Sequence, residues 1–227
     1  MARHRATITS WSEYSSRASF GERPGGELHL GLYPMPFVGN LECAKVVVLL
    51  LNPGLAPTDY FGEYEVPGYR DRLVANLNQR GFDRPYPFFF LDPSLAWHSG
   101  YDWWHSKLHG VISELSRRWV VTYALARARV ASEIAALELI PYHSEVFTLP
   151  ISLRDRLQSV QVARAYTQDV LVPKAARGDV TLVVTRHVRT WGVKPGSNVV
   201  IYEGTETRGA RISPGSRGGD QIIAALS

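Results

Sequence analysis

Val46-Val-Val-Leu-Leu-Leu-Asn52-Pro-Gly-Leu55 reads as a buried strand that ends abruptly. Six consecutive aliphatic residues suit a strand covered on both faces, as in the middle of a parallel sheet. Pro53 has no amide hydrogen and cannot extend a ladder, and Gly54 tolerates positive φ. The chain therefore turns, leaving the Asn52 carboxamide at the carboxyl edge of a rigid strand. In open α/β sheets that edge is where ligands bind.

The same logic recurs downstream. Ala136-Leu-Glu-Leu-Ile-Pro-Tyr-His-Ser144 is an apolar run broken by Pro141, with polar side chains beyond the break. Asp179-Val-Thr-Leu-Val-Val-Thr185 is a third strand with Arg186 and His187 at its end, and Asn198 to Tyr202 is a fourth. Helical spacing fills the gaps: about Arg70–Arg80 closed by Gly81, His105–Arg118, 121–136, 153–177, a short helix closed by Trp191 and Gly192, and Asp220–Leu226. Tyr86 to Pro93 reads as a short extended run. Strands alternating with helices predict an α/β fold, a three-layer α/β/α sandwich around a central four-stranded parallel sheet. Parallel strands end on one rim, so Asn52, Tyr142-His143-Ser144, Arg186-His187 and the 205–218 loop are expected to converge there.

Residues 1–45 read as an N-terminal arm packing on a single domain that spans 1–227. Thr9 or Ser10 caps a short helix, Ser19 to Gly31 is loop-like, and Tyr33-Pro-Met-Pro-Phe-Val-Gly-Asn40 is held extended by its prolines. That stretch either covers the sheet or lies along a ligand-facing rim, and Phe37 and Asn40 are the residues that distinguish the two. The Trp97–Trp104 stretch reads as core.

Composition sets outer limits. The chain has 227 residues, 45% hydrophobic and 20% charged, the balance of a soluble globular domain. The opening Met-Ala-Arg-His-Arg leads into a polar stretch, so neither a signal peptide nor a membrane span is expected. The single Cys43 permits no internal disulfide, fits a cytoplasmic location and reads as a small core residue. A net charge of +4 permits nucleic-acid binding without requiring it. His98, Asp102, His105 and His109 invite a metal reading. Only His105 and His109 share one helical face, so neither metal nor cofactor is expected.

The strand ending in Asn52-Pro-Gly, followed by Thr58-Asp-Tyr-Phe61, resembles the first motif of the uracil-DNA glycosylase superfamily, especially its mismatch-specific branch. The order of motifs, from about Pro34 to the C-terminus, resembles it too. Pro-Tyr-His-Ser at 141–144 looks like an uncharacterised bacterial branch. Arg211-Ile-Ser-Pro-Gly-Ser216 only loosely resembles the superfamily's closing loop, whose His is missing here. The resemblance implies a DNA glycosylase-like hydrolase that flips a damaged or modified base out of DNA and hydrolyses its N-glycosidic bond, as a monomer and without a metal. DNA, including modified or foreign DNA, is the implied partner. The iron–sulfur branches need four cysteines and do not apply.

The chemistry assigns roles. A neutral carboxamide at Asn52 can hold a water beneath the sugar. His143 is the candidate donor to the departing base. Asp59 either orients the water or caps a turn. Tyr60 or Phe61 stacks on the base or anchors its loop, and Tyr142 and Ser144 complete the base-binding set. Ser213 and Ser216, with Arg186, His187, Arg208, Arg211 and Arg217, form the candidate DNA-binding set; His187 equally suits a solvated helix cap. Two other functions fit the pattern: a non-catalytic nucleic-acid or nucleotide-binding protein on the same fold, and a small-molecule hydrolase.

Overall fold

The computed structural model of the chain describes residues 5–19 and 25–227. The sequence expectations for 1–4 and 20–24 lie outside the described residues. The N-terminal arm contributes β1 (Arg5–Ala6), α1 (Trp11–Ser19), β2 (Leu28–His29) and β3 (Phe37–Val38). Ser10 caps α1, its Oγ accepting from the Glu13 amide. The arm is more structured than the sequence suggests. β2 lies inside the expected loop and pairs parallel with β1, while the His29 amide donates to the His143 carbonyl. Ala6, Ile8, Tyr14, Leu32 and Tyr60 form a small core of their own.

β4 (Val46–Leu50) is the centre of the main sheet, and Val46 to Leu49 are wholly buried. α2 (Pro57–Glu65), α3 (Tyr69–Leu77), α4 (Ser99–Trp119) and α5 (Tyr123–Glu133) follow it and lead into β5 (Ile134–Glu138). Then come α6 (Ile151–Arg154), α7 (Gln158–Tyr166), α8 (Val172–Arg177), β6 (Thr181–Val184), α9 (Val188–Trp191) and β7 (Val199–Ile201). Two last helices, α10 (Glu206–Gly209) and α11 (Arg217–Leu226), close the chain.

The fold is α/β, but the sheet is mixed and five-stranded, in the order β3-β5-β4-β6-β7. β4 to β7 run parallel to their neighbours, and β3 is antiparallel to β5. This corrects the expected four-stranded parallel sheet. Pro34 and Pro36 do hold the arm extended, but Phe37 and Val38 keep free backbone groups and cover the β5 edge that would otherwise be unpaired. Side chains alternate across the sheet. Val46, Val48, Ile134, Ala136 and Val183 face α4, α5 and α11. Val47, Leu49, Leu137, Leu182 and Val184 face α7, α8 and Trp191.

Three local readings also change. α4 begins at Ser99, within the Trp-rich stretch, because His98 caps it by accepting from the Gly100 amide. Phe89–Leu91 and Pro93–Leu95 form 3-10 turns rather than an extended run. Phe88 to Leu91 are all buried, and Asp92 accepts from the Ser94 amide, closing a turn instead of a ladder. The expected 153–177 helix is broken after α6 and carries a π-helical turn at Thr167–Leu171, just before Pro173, whose missing amide disrupts the α-helical bonding pattern. Cys43 is exposed rather than core. Among the described residues, no helix is long and apolar enough to cross a membrane.

Candidate functional site

The chain passes from β4 to β5 on one side and returns to β6 on the other. Adjacent strands whose connections diverge leave a crevice at their carboxyl ends. A cavity of about 430 Å³ occupies this place. Its lining includes Leu50 to Ala56, Ala136, Glu138, His143 to Glu145, Thr185 and Arg186 from the strand ends and their loops. Asp59 of α2, Ser99, Gly100, Trp103 and Trp104 of α4, and Met35, Val38, Phe90, Phe147 and Ala210 complete it. A larger groove of about 640 Å³ lies along β5, lined mainly by apolar side chains such as Phe37, Leu137, Val162 and Tyr166, with Glu138 bordering it as well. The smaller cavity holds the chemistry.

The loops after β4 and β5 are tied together by side chains. Asn52 Nδ2 donates to the Pro53 carbonyl (2.8 Å), to Ser144 Oγ (2.9 Å) and, at greater length, to the Tyr142 carbonyl (3.4 Å). All three bonds use the nitrogen, so the amide oxygen keeps its accepting capacity. His143 Nδ1 donates to the Gly54 carbonyl at 2.8 Å. That bond places a proton on Nδ1 and leaves Nε2 buried and without a hydrogen-bond partner. Nε2 is therefore the ring atom through which His143 can meet a ligand.

Asp59 sits under this pair. Its Oδ2 accepts from the Ala56 amide at 2.7 Å, the turn-capping role foreseen as an alternative. Its Oδ1 lies 3.5 Å from His98 Nε2 and 3.8 Å from His143 Nδ1. His98 is fully buried, accepts at Nδ1 and meets the Tyr69 hydroxyl at Nε2, 2.8 Å away. Burial pushes its imidazole below the usual range. Burial first, and His143 second, push His29 down to about 4. Two of the three imidazoles around the Asp59 carboxyl, His29 and His98, are thus held toward their neutral form by burial.

The remaining expected site residues divide. Ser144 lines the cavity but serves Asn52 rather than standing free for a ligand. Tyr142 turns its carbonyl to Asn52 and lines the apolar groove instead. Tyr60 is fully buried in the arm's core, stacked 4.4 Å from Tyr14 and bonded to His29, so it has no surface for a base. Phe61 is 40% exposed, packs edge-on against Trp11 and Trp97, and is absent from the cavity lining. Arg186 lines the cavity. His187 is exposed, starts α9 and meets Arg154.

Most of the groups expected to grip phosphate in the 205–218 loop are engaged within the fold, and Arg211 is an exception. Ser216 caps α11, accepting from the Gly219 amide and donating to the Ser213 carbonyl. Ser213 contributes backbone to that cap. Arg217 is engaged by Glu206 and the Ile201 carbonyl. Arg211 is exposed and its carbonyl accepts from the Tyr202 hydroxyl. Among the described residues a cationic patch remains beside the cavity, where Arg186 and Lys107 bond carbonyls of the 207–210 segment, and burial first, then Arg186 and Arg211, lower the Lys107 ammonium.

Three contributors escaped the sequence reading. Trp103 and Trp104 line the cavity, Trp103 with 42% of its surface exposed. Glu138, read as part of an apolar strand, is 8% exposed and lines the cavity with no side-chain partner at Oε2. Its one visible signal is an acid in an otherwise aliphatic run. Among the described residues, no group of three or more His, Cys, Asp or Glu could hold a metal ion. No family model, curated protein or solved structure matches the chain.

Proposed function

We propose that this protein is a DNA glycosylase-like hydrolase of the uracil-DNA glycosylase superfamily, with a fold of that type, and that its cavity receives a flipped base. The observation that carries the reading is the juxtaposition of Asn52, His143 and Asp59 around one crevice at the strand ends. The cavity's size falls in the range of small-ligand sites, and Phe90, Trp103 and Trp104 suit a flat ring. Asn52 Oδ1 and the bare His143 Nε2 are acceptors that can hold and polarise an attacking water. The water oxygen bonds to the sugar carbon as the N-glycosidic bond breaks, the electron pair of that bond leaves with the base, and the water's proton passes to His143 Nε2. Arg186, Lys107 and Arg211 supply positive charge at the rim for a backbone phosphate.

The test is a panel of oligonucleotides carrying uracil, mismatches, deaminated purines and bulky modified cytosines, scored for alkali-labile breaks. The expected result is release of at least one base by the wild type, and none with Asn52→Ala or His143→Ala although both still bind DNA. The second reading, a nucleic-acid binder that does not cut, is favoured by the commitment of His143 Nδ1–H to the Gly54 carbonyl. It requires salt-dependent DNA binding with no abasic product from any substrate.

A further inference from the structure

Glu138 is the last residue of β5 and pairs with Leu50 across the sheet. Glu138 borders both the cavity and the apolar groove, but side-chain alternation puts it on the same face as Ile134 and Ala136, and of the two hollows Ala136 lines only the cavity. It is more than nine-tenths buried, joins no ion pair or side-chain hydrogen bond with the described residues, and leaves Oε2 buried and unpartnered. A buried polar group without a partner is costly, and folded proteins rarely keep one that has no task.

We propose that Glu138 binds the hydrogen-bonding edge of the base that enters the cavity. Resting on the base-pocket reading above, this adds a recognition group for the substrate. Burial alone pushes the carboxyl well above the usual carboxylate range, so it enters the cavity protonated. A neutral carboxyl presents one donor beside one acceptor. That pair matches a ring edge with an acceptor next to an N–H or amino group, as on uracil, cytosine, hypoxanthine and adenine. It does not match an edge blocked by N-methylation. As negative charge gathers on the departing base, the carboxyl's O–H bond to it strengthens while the proton stays on Glu138.

1-Methyluracil, 1-methylcytosine, 9-methylhypoxanthine and 9-methyladenine, methylated where the sugar sits in DNA, with 1,3-dimethyluracil and 1,9-dimethylhypoxanthine as edge-blocked controls, are titrated by NMR into the full chain and into Glu138→Gln and Glu138→Leu. The wild type is expected to bind at least one parent base about tenfold or more tightly than the blocked forms, with affinity falling as pH rises toward the carboxyl's shifted range. Glu138→Leu should lose the preference. Glu138→Gln should keep most of it and lose the pH dependence. An unchanged preference in Glu138→Leu, or an unchanged pH profile in Glu138→Gln, overturns the inference. Base release from oligonucleotides that Glu138→Leu leaves intact sinks this assignment alone. Neither release nor binding of any base by the wild type sinks it together with the glycosylase reading.

Discussion

The two halves of the sheet's carboxyl rim treat their polar residues in opposite ways. At the ends of β4 and β5, Glu138 Oε2 and His143 Nε2 are buried without partners, and Asn52 commits only its nitrogen. At the ends of β6 and β7, Ser216 caps a helix, Arg217 pairs with Glu206, and Arg186 holds carbonyls of the neighbouring segment. Both halves look equally functional as residue types. What separates them is satisfaction: one half has spent its hydrogen bonds on the fold, and the other retains bonding capacity around a hollow. The second is where a ligand has something to gain.

The sharpest challenge to this contrast is to remove one group from the unsatisfied half. Asn52→Ala is expected to lower base release by about a hundredfold or more while thermal stability barely moves. A large drop in Tm with proportionate loss of activity would place Asn52 with the structural residues. Glu63 provides the next test, because it is a buried acid that is satisfied. Its oxygens accept from the Tyr33 amide at 2.9 and 3.1 Å, and Arg70 lies 3.6 Å away. Burial nevertheless raises its pKa from 4.5 to about 7. Its folded value lies above its unfolded one, so its contribution to stability is complete below about pH 4.5 and is lost as pH rises to about 7. Glu63→Gln should remove that slope, on the order of 3 kcal/mol in denaturant unfolding, without changing base release.

Smaller effects belong to the satisfied half. Ser216→Ala removes the α11 cap and should cost about 1 kcal/mol of stability with base release intact. A selective loss of DNA binding instead would restore the serine loop to the functional side. Smallest of all, Arg211→Ala should reduce the salt dependence of DNA binding by about one unit of slope and leave folding unchanged.

Much of this molecule is legible locally. The β4 run, its end at Asn52-Pro53-Gly54, the second ending at Pro141 and the capping of α1 by Ser10 all depend on residues adjacent in the chain. Errors arose where a distant partner intervened. Phe37 and Val38 became a strand because β5 had an open edge. Tyr60 was taken for a stacking platform, yet Tyr14, Ile8 and His29 of the arm bury it. Trp104 is core as the sequence suggests, yet it and the part-exposed Trp103 also line the cavity, because an aromatic run by itself does not show whether it faces a helix or a hollow.

The sequence by itself determined that strands and helices alternate and that polar groups stand where the β4 and β5 runs break, because periodicity and proline act over a few residues. Only the tertiary structure decided which of those groups keep their bonding capacity. Hydrogen-bond satisfaction is set by neighbours brought from anywhere in the chain: Ser144 reaches Asn52 across 92 positions, and burial among distant segments leaves Glu138 without a partner.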